Sequence, residues 1–363
     1  MKVQTKQTSK RVGQLRAVVN RPTIVLSLLC GFTMFFVCGR ARAQYKLTNL
    51  VSNQVGAANH DDPLIVNGWG IAHGPGPLWV SDEASGWSTL YDPTGVQKTP
   101  VVFIPKADGA GPGQPTGIVF NSSADFQVQG AHAAFIFSTQ DGTISAWVPT
   151  VNANVALVTV DNSAQGASYT ALAVSNNPSG NYLYAADIAD ARVDMFDGTY
   201  AYVGSFTDPD LPSGYAPFGM QDIGGLLYVS FAPVDGTATG FVDTFKEDGS
   251  FVRRLIEGGP LAQPWGFAVA PGNFGPLSYA LLISNNTNAG TINAFNIQTG
   301  QYIGTIRDRD GRPIHIDQLW GIVFGGGSSN NGLTNQLFFA AGPKNNLAGT
   351  LGVIEFTPST SRE

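Results

Sequence analysis

The stretch Asn67-Gly68-Trp69-Gly70-Ile71-Ala72 decides the fold, because similar segments recur along the chain. Its clearest second copy is Gln263-Pro264-Trp265-Gly266-Phe267-Ala268. Six copies can be aligned on one position, which we call the register position and which is occupied by Gly70, Gly117, Ala171, Gly219, Gly266 and Gly321. Successive register positions are 47 to 55 residues apart. The chain therefore contains six copies of one structural unit.

Each repeat contains several short stretches with the pattern of β-strands. The strand with the register position is followed by a second apolar strand such as Leu78-Trp79-Val80, and then by an alternating third strand such as Val193-Asp194-Met195-Phe196-Asp197. Five repeats add an outermost strand, for example Val252-Arg253-Arg254-Leu255. A period of about 40 to 50 residues with four strands is typical of a β-propeller blade. We therefore predict an all-β fold, a six-bladed β-propeller of four-stranded blades.

The sixth repeat runs out of chain after its third strand, which ends at Phe356. An unassigned strand, Tyr45–Val51, lies at the other end of the repeat region. Pairing of the N-terminal and C-terminal strands would close the ring and remove an exposed sheet edge. We predict a single propeller domain over residues 44–363.

The register glycines and the residues before them indicate how the blades meet. A missing side chain permits innermost strands to approach closely around the axis. Trp69, Phe218, Trp265 and Trp320 each precede a register glycine, and we predict that they pack between neighbouring blades. Stacking on a carbohydrate is the alternative for these aromatic rings.

Residues 1–43 have the pattern of a signal peptide. They contain basic but no acidic residues, an apolar run over Thr23–Gly39, and the small residues of Ala41-Arg42-Ala43 before a cleavage point at Gln44. An uncleaved membrane anchor is an alternative, but this run has about 17 residues against the roughly 20 needed to span. A lipid-anchored form is less consistent with the bulky residues before Cys30 and Cys38. We predict a secreted or periplasmic protein without stable membrane insertion after cleavage.

Cleavage would leave an acidic chain without cysteine. Both cysteines and 8 of the 20 basic residues lie in residues 1–43, so 12 basic and 26 acidic residues remain, with a net charge of −14. A chain of this size can bury a sufficient core without disulfides. The charge argues against nucleic acid as a partner and is compatible with divalent cations. We expect a monomer.

Two resemblances follow from these motifs. Leu183-Tyr184-Ala185-Ala186-Asp187, together with the third strand that follows it, resembles the NHL repeat. Residues 45–358 resemble a family of exported bacterial β-propellers, typified by the Asn67 segment and by Trp79-Val80-Ser81-Asp82. This resemblance implies a propeller and export, but no activity. Several relatives carry a C-terminal membrane-sorting tail that this chain lacks, which implies release. A propeller fold alone does not fix a function.

Loops that join the fourth strand to the first, and the second to the third, gather around the axial channel on one face. The residue three before the register position is polar in five repeats, and we predict ligand binding by Asn67, Gln114, Gln263 and Gln318. Asp82, Asp187 and Asn285 end the second strands of alternate repeats and could converge on Ca²⁺. Their alternative role is to accept hydrogen bonds within their own loops.

His60 and His315 lie in loops that we expect on this same face, and acidic residues flank both. Either could act as a general base on an ester or lactone polarised by the metal. His73 and His132 are expected on the opposite face, in structural or solvent-facing positions.

The sequence supports two main hypotheses and leaves open whether the protein is an enzyme. The first is a secreted binding scaffold for a small ligand, a glycan or an exported protein. The second is a calcium-dependent lactone or ester hydrolase at the channel mouth. A quinone-dependent or electron-transfer propeller is a third and weaker possibility. Ca²⁺ is the one cofactor that the pattern indicates.

Overall fold

A computed structural model describes residues 44–175 and 180–358 of the chain. The predicted signal peptide, residues 1–43, and the last residues, 359–363, lie outside these ranges. Over the described ranges, no helix is long and apolar enough to cross a membrane.

The described residues form β-strands, with two short 3₁₀-helices at Ser163–Gln165 and Gly275–Leu277. In chain order the strands are β1 (Gln44–Ser52) and β2 (His60–Asp61); β3 (Gly68–His73), β4 (Leu78–Asp82), β5 (Trp87–Tyr91) and β6 (Gln97–Phe103); β7 (Pro115–Phe120), β8 (Gln127–Val128), β9 (Ala131–His132), β10 (Phe135–Thr139), β11 (Thr143–Trp147) and β12 (Leu157–Asp161); β13 (Tyr169–Val174), β14 (Tyr182–Asp187), β15 (Arg192–Asp197) and β16 (Tyr202–Phe206); β17 (Tyr215–Asp222), β18 (Leu226–Pro233), β19 (Phe241–Lys246) and β20 (Phe251–Glu257); β21 (Pro264–Val269), β22 (Leu281–Asn285), β23 (Ile292–Phe295) and β24 (Tyr302–Thr305); and β25 (Leu319–Phe324), β26 (Gln336–Ala341) and β27 (Thr350–Thr357).

These strands form the predicted six-bladed propeller. Five blades are four-stranded sheets, namely β3–β6, β7 with β10–β12, β13–β16, β17–β20 and β21–β24, and we number them blades 1 to 5. Blade 6 contains β25, β26 and β27, followed by β1 from the N-terminal end. The antiparallel pairing of β1 with β27 runs from Gln44 opposite Thr357 to Ser52 opposite Thr350, so the predicted ring closure is confirmed.

Two small additions were not predicted from the sequence. The strand β2 pairs in parallel with β1 and adds a fifth strand at the outer edge of blade 6. The hairpin β8–β9 extends the connection between the first two strands of blade 2.

Because the strands of each blade are antiparallel, their connections alternate between two faces of the ring. We call the face with the second-to-third and fourth-to-first connections the 2–3 face, and the opposite one the 1–2 face. Each innermost strand enters at the 2–3 face and ends at the 1–2 face.

Close approach of the innermost strands explains the register glycines. A Cβ on Gly219 would clash with the carbonyl group of Trp265, and one on Gly70 would clash with the carbonyl oxygen of Thr116. Side-chain hydroxyl groups also tie neighbouring innermost strands together, as in the bond of 2.8 Å from Thr170 Oγ1 to the Phe218 carbonyl oxygen. The predicted crowding around the axis is confirmed.

Candidate functional site

Four aromatic side chains meet on the axis of the propeller, and we call them the aromatic plug: Trp69, Phe218, Trp265 and Trp320. Trp69 stacks on Trp320 with ring centroids 3.6 Å apart and planes tilted by 17°. Trp69 and Trp265 lie 6.4 Å apart although blade 6 separates their blades, and Phe218 lies 5.7 Å from Trp320 across blade 5. Contacts across an intervening blade are possible only near the axis.

The plug belongs to the core of the protein. Its four side chains are only 3% to 8% exposed and belong to one buried apolar cluster. The prediction of core packing is therefore confirmed, with the correction that the rings meet on the axis rather than only between neighbouring blades. Rings buried to this extent present no face on which a sugar could stack.

Hydrogen bonds fix two of the three indole groups of the plug. Trp320 Nε1 donates to Asn67 Oδ1 at 2.9 Å, and Trp265 Nε1 donates to the Thr170 carbonyl oxygen at 3.1 Å. Trp69 Nε1 is buried without a partner among the described residues. In blades 2 and 3 the same repeat position holds Thr116 and Thr170, and the larger rings of the other four blades fill the space that these threonines leave.

Beyond the plug, the axial channel widens into a cavity of about 250 Å³ that residues of all six innermost strands line. Trp265 forms part of its inner end, so the plug closes the cavity towards the 2–3 face. The residues after the register position form an apolar ring around it: Ile71, Ile118, Leu172, Met220, Phe267 and Ile322. At the other end His73 and Val174 are partly exposed and Gln221 is exposed, so the cavity opens on the 1–2 face.

Polar side chains at the open end come from opposite sides of the ring. His73 belongs to blade 1, whereas Gln221 and Asp222 belong to blade 4. Both ring nitrogens of His73 already lie near backbone carbonyl oxygens, with Nδ1 3.1 Å from Gly74 O and Nε2 2.8 Å from Phe324 O. His73 thus joins blade 1 to blade 6 at the cavity rim.

Asp222 is the acidic group of this rim. Its Oδ1 accepts a hydrogen bond of 3.2 Å from the Gly225 N–H, and its Oδ2 is buried. Burial raises the pKa of Asp222 to about 6, the Gly225 N–H opposes this shift, and the negative charge of Glu247 adds to it. The carboxyl group is therefore largely ionised at neutral pH and sits in a locally negative environment.

The predicted ligand-binding residues occupy three separate positions on the 2–3 face, one of which Asn67 and Gln114 share. Asn67 and Gln114 converge on Glu83, since Asn67 Nδ2 donates to its Oε2 at 2.8 Å and Gln114 Nε2 donates to its Oε1 at 3.1 Å. Gln263 is buried and donates to the Pro233 and Thr237 carbonyl oxygens. Gln318 donates to Asn288 Oδ1 at 2.7 Å. Their binding role stays a prediction.

Glu83 is a buried carboxylate that sequence reasoning missed. Burial raises its pKa, the amide of Asn67 opposes the shift, Asp141 adds to it, and the amide of Gln114 opposes it. Asn67, which is 1% exposed, adopts a left-handed φ of 50° and connects this carboxylate to the plug through Trp320. The arrangement holds the plug in place from the 2–3 face.

The predicted calcium ligands form hydrogen bonds within their own loops. Asp82 Oδ2 accepts bonds from the N–H and the hydroxyl of Thr89, and Asp187 Oδ1 accepts backbone N–H groups, including that of Ser168. Asn285 donates to the Pro260 carbonyl oxygen at 2.7 Å. These contacts fit the loop-capping alternative.

The electrostatics of the two carboxyl groups fit the same role. Burial raises the pKa of Asp82 and of Asp187, and the hydrogen bonds from Thr89 and from backbone N–H groups oppose these shifts. Within residues 44–175 and 180–358, no group of three or more His, Cys, Asp and Glu side chains is arranged to hold a metal ion. The calcium site stays a prediction.

The structure does not bring His60 and His315 together. His315 is exposed on the 2–3 face, as predicted, with Nδ1 3.1 Å from the Ala289 carbonyl oxygen. His60, in contrast, lies in β2 at the perimeter, where its ring approaches Gly95 in the turn between β5 and β6. The expectation of a shared location is wrong, because the loop after β1 forms an edge strand instead of reaching the axis. Their catalytic role stays a prediction.

Two solved structures are similar to this chain in fold. Virginiamycin B lyase from Staphylococcus aureus has a TM-score of 0.53 and 14% identity, over 87% of this chain and 100% of that one. A protein of unknown function from Bacteroides thetaiotaomicron has a TM-score of 0.54 and 11% identity, over 86% of this chain and 77% of that one. At such identities the likeness establishes the propeller fold alone.

Two sequence relatives show the family to which this chain belongs. Uncharacterized protein R648 of Acanthamoeba polyphaga mimivirus is 30% identical over 336 residues, which cover 87% of this chain and 81% of the viral protein. Uncharacterized protein L690 of the same virus is 30% identical over 305 residues, which cover 78% of this chain and 80% of the viral protein. No protein-family model matches the chain, so the NHL resemblance stays a prediction. The predicted bacterial origin of the family is wrong, because these relatives are viral. The chain belongs to the same family as these mimivirus proteins.

Proposed function

We propose that this protein is an exported binding scaffold that takes a small ligand into its axial cavity through the 1–2 face. The observation that carries the proposal is the shape of the channel, which the aromatic plug closes at one end and which is open to solvent at the other. Ligand sites in proteins are concave, mostly apolar and equipped with a few polar groups. The apolar ring with Gln221 and Asp222 at its rim has this character.

The volume of the cavity limits the size of the ligand. Sites for drug-sized molecules measure about 300 to 1,000 Å³, and this cavity has about 250 Å³. We therefore propose a ligand smaller than an oligosaccharide or a peptide. The proposed binding site differs from the one predicted from the sequence, which lies on the 2–3 face, the side that the plug closes.

Export is the second part of the proposal, and the signal pattern of residues 1–43 supports it. The hydrolase alternative has less support, since Asp82, Asp187 and Asn285 bond within their own loops and His60 lies at the perimeter. A scaffold requires none of these groups to converge.

A thermal-shift screen against a library of small polar and amphipathic compounds tests the proposed function. We expect at least one compound to raise the melting temperature of the wild type but not of Gln221→Trp, which places a large side chain at the rim. Val269→Trp is the matched control, because Val269 is also exposed near the end of an innermost strand but does not line the cavity. Stabilisation that persists unchanged in Gln221→Trp would locate the binding site elsewhere.

A further inference from the structure

The side chains around the axial cavity differ in charge as well as in polarity. Among the described residues that line it, Asp222 is the only one with a formal charge at neutral pH when His73 is neutral. Asp222 ends β17 at the open end, and because its Oδ2 is buried, Oδ1 is the oxygen that a ligand could reach beside the Gly225 N–H. Glu247 stands close enough to influence its ionisation, which adds to the negative potential at that side of the rim.

The remaining polar groups of the rim do not compensate this charge. In the neutral His73 ring, Nε2 donates to the Phe324 carbonyl oxygen at 2.8 Å and Nδ1 accepts from Asn331 Nδ2 at 3.4 Å, so the ring offers no free nitrogen to a ligand. Gln221 is neutral. An anionic ligand would thus meet a carboxylate without a cationic partner from the described lining, whereas a cationic group would find a charged acceptor.

We propose that the cavity binds a small primary amine, with its apolar part inside the ring of Ile71, Ile118, Leu172, Met220, Phe267 and Ile322 and its ammonium group against Oδ1 of the Asp222 carboxylate. This inference rests on the proposed function and adds the chemical class of the ligand. An ammonium–carboxylate contact at the rim leaves the charge partly hydrated, so the ligand does not have to bury it in the apolar interior.

The net charge of residues 44–363 acts in the same direction. Residues 44–363 carry 12 basic and 26 acidic residues. A negative surface raises the local concentration of cations and lowers that of anions. The rim therefore attracts cations before any specific contact forms.

Methionine provides a direct readout of binding in the cavity. The chain has 4 methionines, and in the described ranges these are Met195 and Met220. Met220 lines the cavity, whereas Met195 does not. We would label the methyl groups with carbon-13, titrate the full chain with n-butylammonium, n-butanol and butyrate, and follow both signals by NMR.

We expect n-butylammonium to move the Met220 signal, to leave that of Met195 in place, and to bind about tenfold or more tightly than n-butanol, as a charged hydrogen bond provides. Butyrate should bind most weakly. Asp222→Asn should remove the preference for the amine. Asp210→Asn is the matched control, because it removes the same charge from an exposed position away from the cavity.

Two results would contradict the inference in different ways. If none of the three compounds moves the Met220 signal, the cavity is not a site for small molecules of this size, and the proposed function fails with the inference. If n-butanol or butyrate binds as tightly as the amine, or if Asp222→Asn keeps the preference, the cavity binds ligands but does not recognise a cation.

Discussion

The two ends of the axial channel are built from the same six strands, yet one is closed and the other is open. At the closed end the residue before each register position is aromatic in four blades, and these rings meet across the axis. At the open end, the cavity-lining residues three after the register position are His73, Phe120, Val174 and Asp222. In this propeller, the side chains at one repeat position close the channel at one end, so that it ends as a pocket instead of passing through the ring.

Both ends depend on the closed ring, so the largest effect should come from opening it. Deletion of residues 44–52 removes β1, which pairs with β27 over its whole length, and exposes the edge of blade 6. We expect loss of cooperative unfolding in a urea titration followed by tryptophan fluorescence. Lys46→Ala, at an exposed position of β1, is the control and should unfold like the wild type. A cooperative transition in the deletion variant would show that the ring does not need this strand.

Removal of one plug residue should have the next largest effect. Trp320 contacts Trp69, Trp265 and Phe218, so Trp320→Ala should lower the free energy of unfolding by about 3 to 5 kcal/mol. Urea denaturation measures this value. A loss below about 1 kcal/mol would mean that the rings are not packed as a unit.

A matched pair of substitutions separates ring packing from hydrogen bonding in the plug. Trp320→Phe leaves Asn67 Oδ1 without the indole donor, whereas Trp69→Phe removes an Nε1 that has no described partner. Both substitutions remove a similar area of buried apolar surface. We expect Trp320→Phe to cost about 1 to 3 kcal/mol more than Trp69→Phe in the same urea experiment, because a buried acceptor loses its bond. Equal costs would assign no role to this hydrogen bond.

The smallest effect should come from protonation at the open end. The pKa of Asp222 is raised to about 6 in the folded protein from an ordinary value of 3.8, so the folded state binds more protons than the unfolded state between these pH values. Stability should therefore fall slightly as the pH rises through about 6. Solvent screening keeps this effect small because the group is partly exposed.

Comparison of melting temperatures at pH 4.5 and pH 7 for the wild type and Asp222→Asn isolates this contribution. The melting temperature at pH 7, relative to that at pH 4.5, should be higher in Asp222→Asn than in the wild type. Binding of an amine has the opposite dependence, since it requires the ionised carboxylate and should weaken below pH 6. An unchanged pH dependence in Asp222→Asn would contradict the environment described for this carboxyl group.

The repeat pattern predicted the strands and the ring closure because both depend on local alternation and on the count of strands. The pattern predicted correctly that Trp69 and Trp265 lie in the core, but it did not predict that they meet on the axis. Contacts between blades 1 and 5 join residues far apart in the chain, and no short stretch of sequence indicates them. Glu83 was missed because it follows the strand end at Asp82. Asp222 was missed because only the folded ring shows that the position three after the register residue lies at the rim of the cavity. His60 was misplaced because nothing in its loop indicates the pairing of β2 with β1.

The most direct test of the account compares two cysteines on one strand, in a background with Cys30→Ser and Cys38→Ser. Met220 lines the cavity and Phe218 belongs to the plug, and the two side chains are similarly buried, with 7% and 8% exposed. A small methanethiosulfonate reagent should modify Met220→Cys much faster than Phe218→Cys, because the cavity admits it from the 1–2 face while the plug does not. Equal rates, or faster modification of Phe218→Cys, would contradict a channel that is closed at the 2–3 face and open at the other.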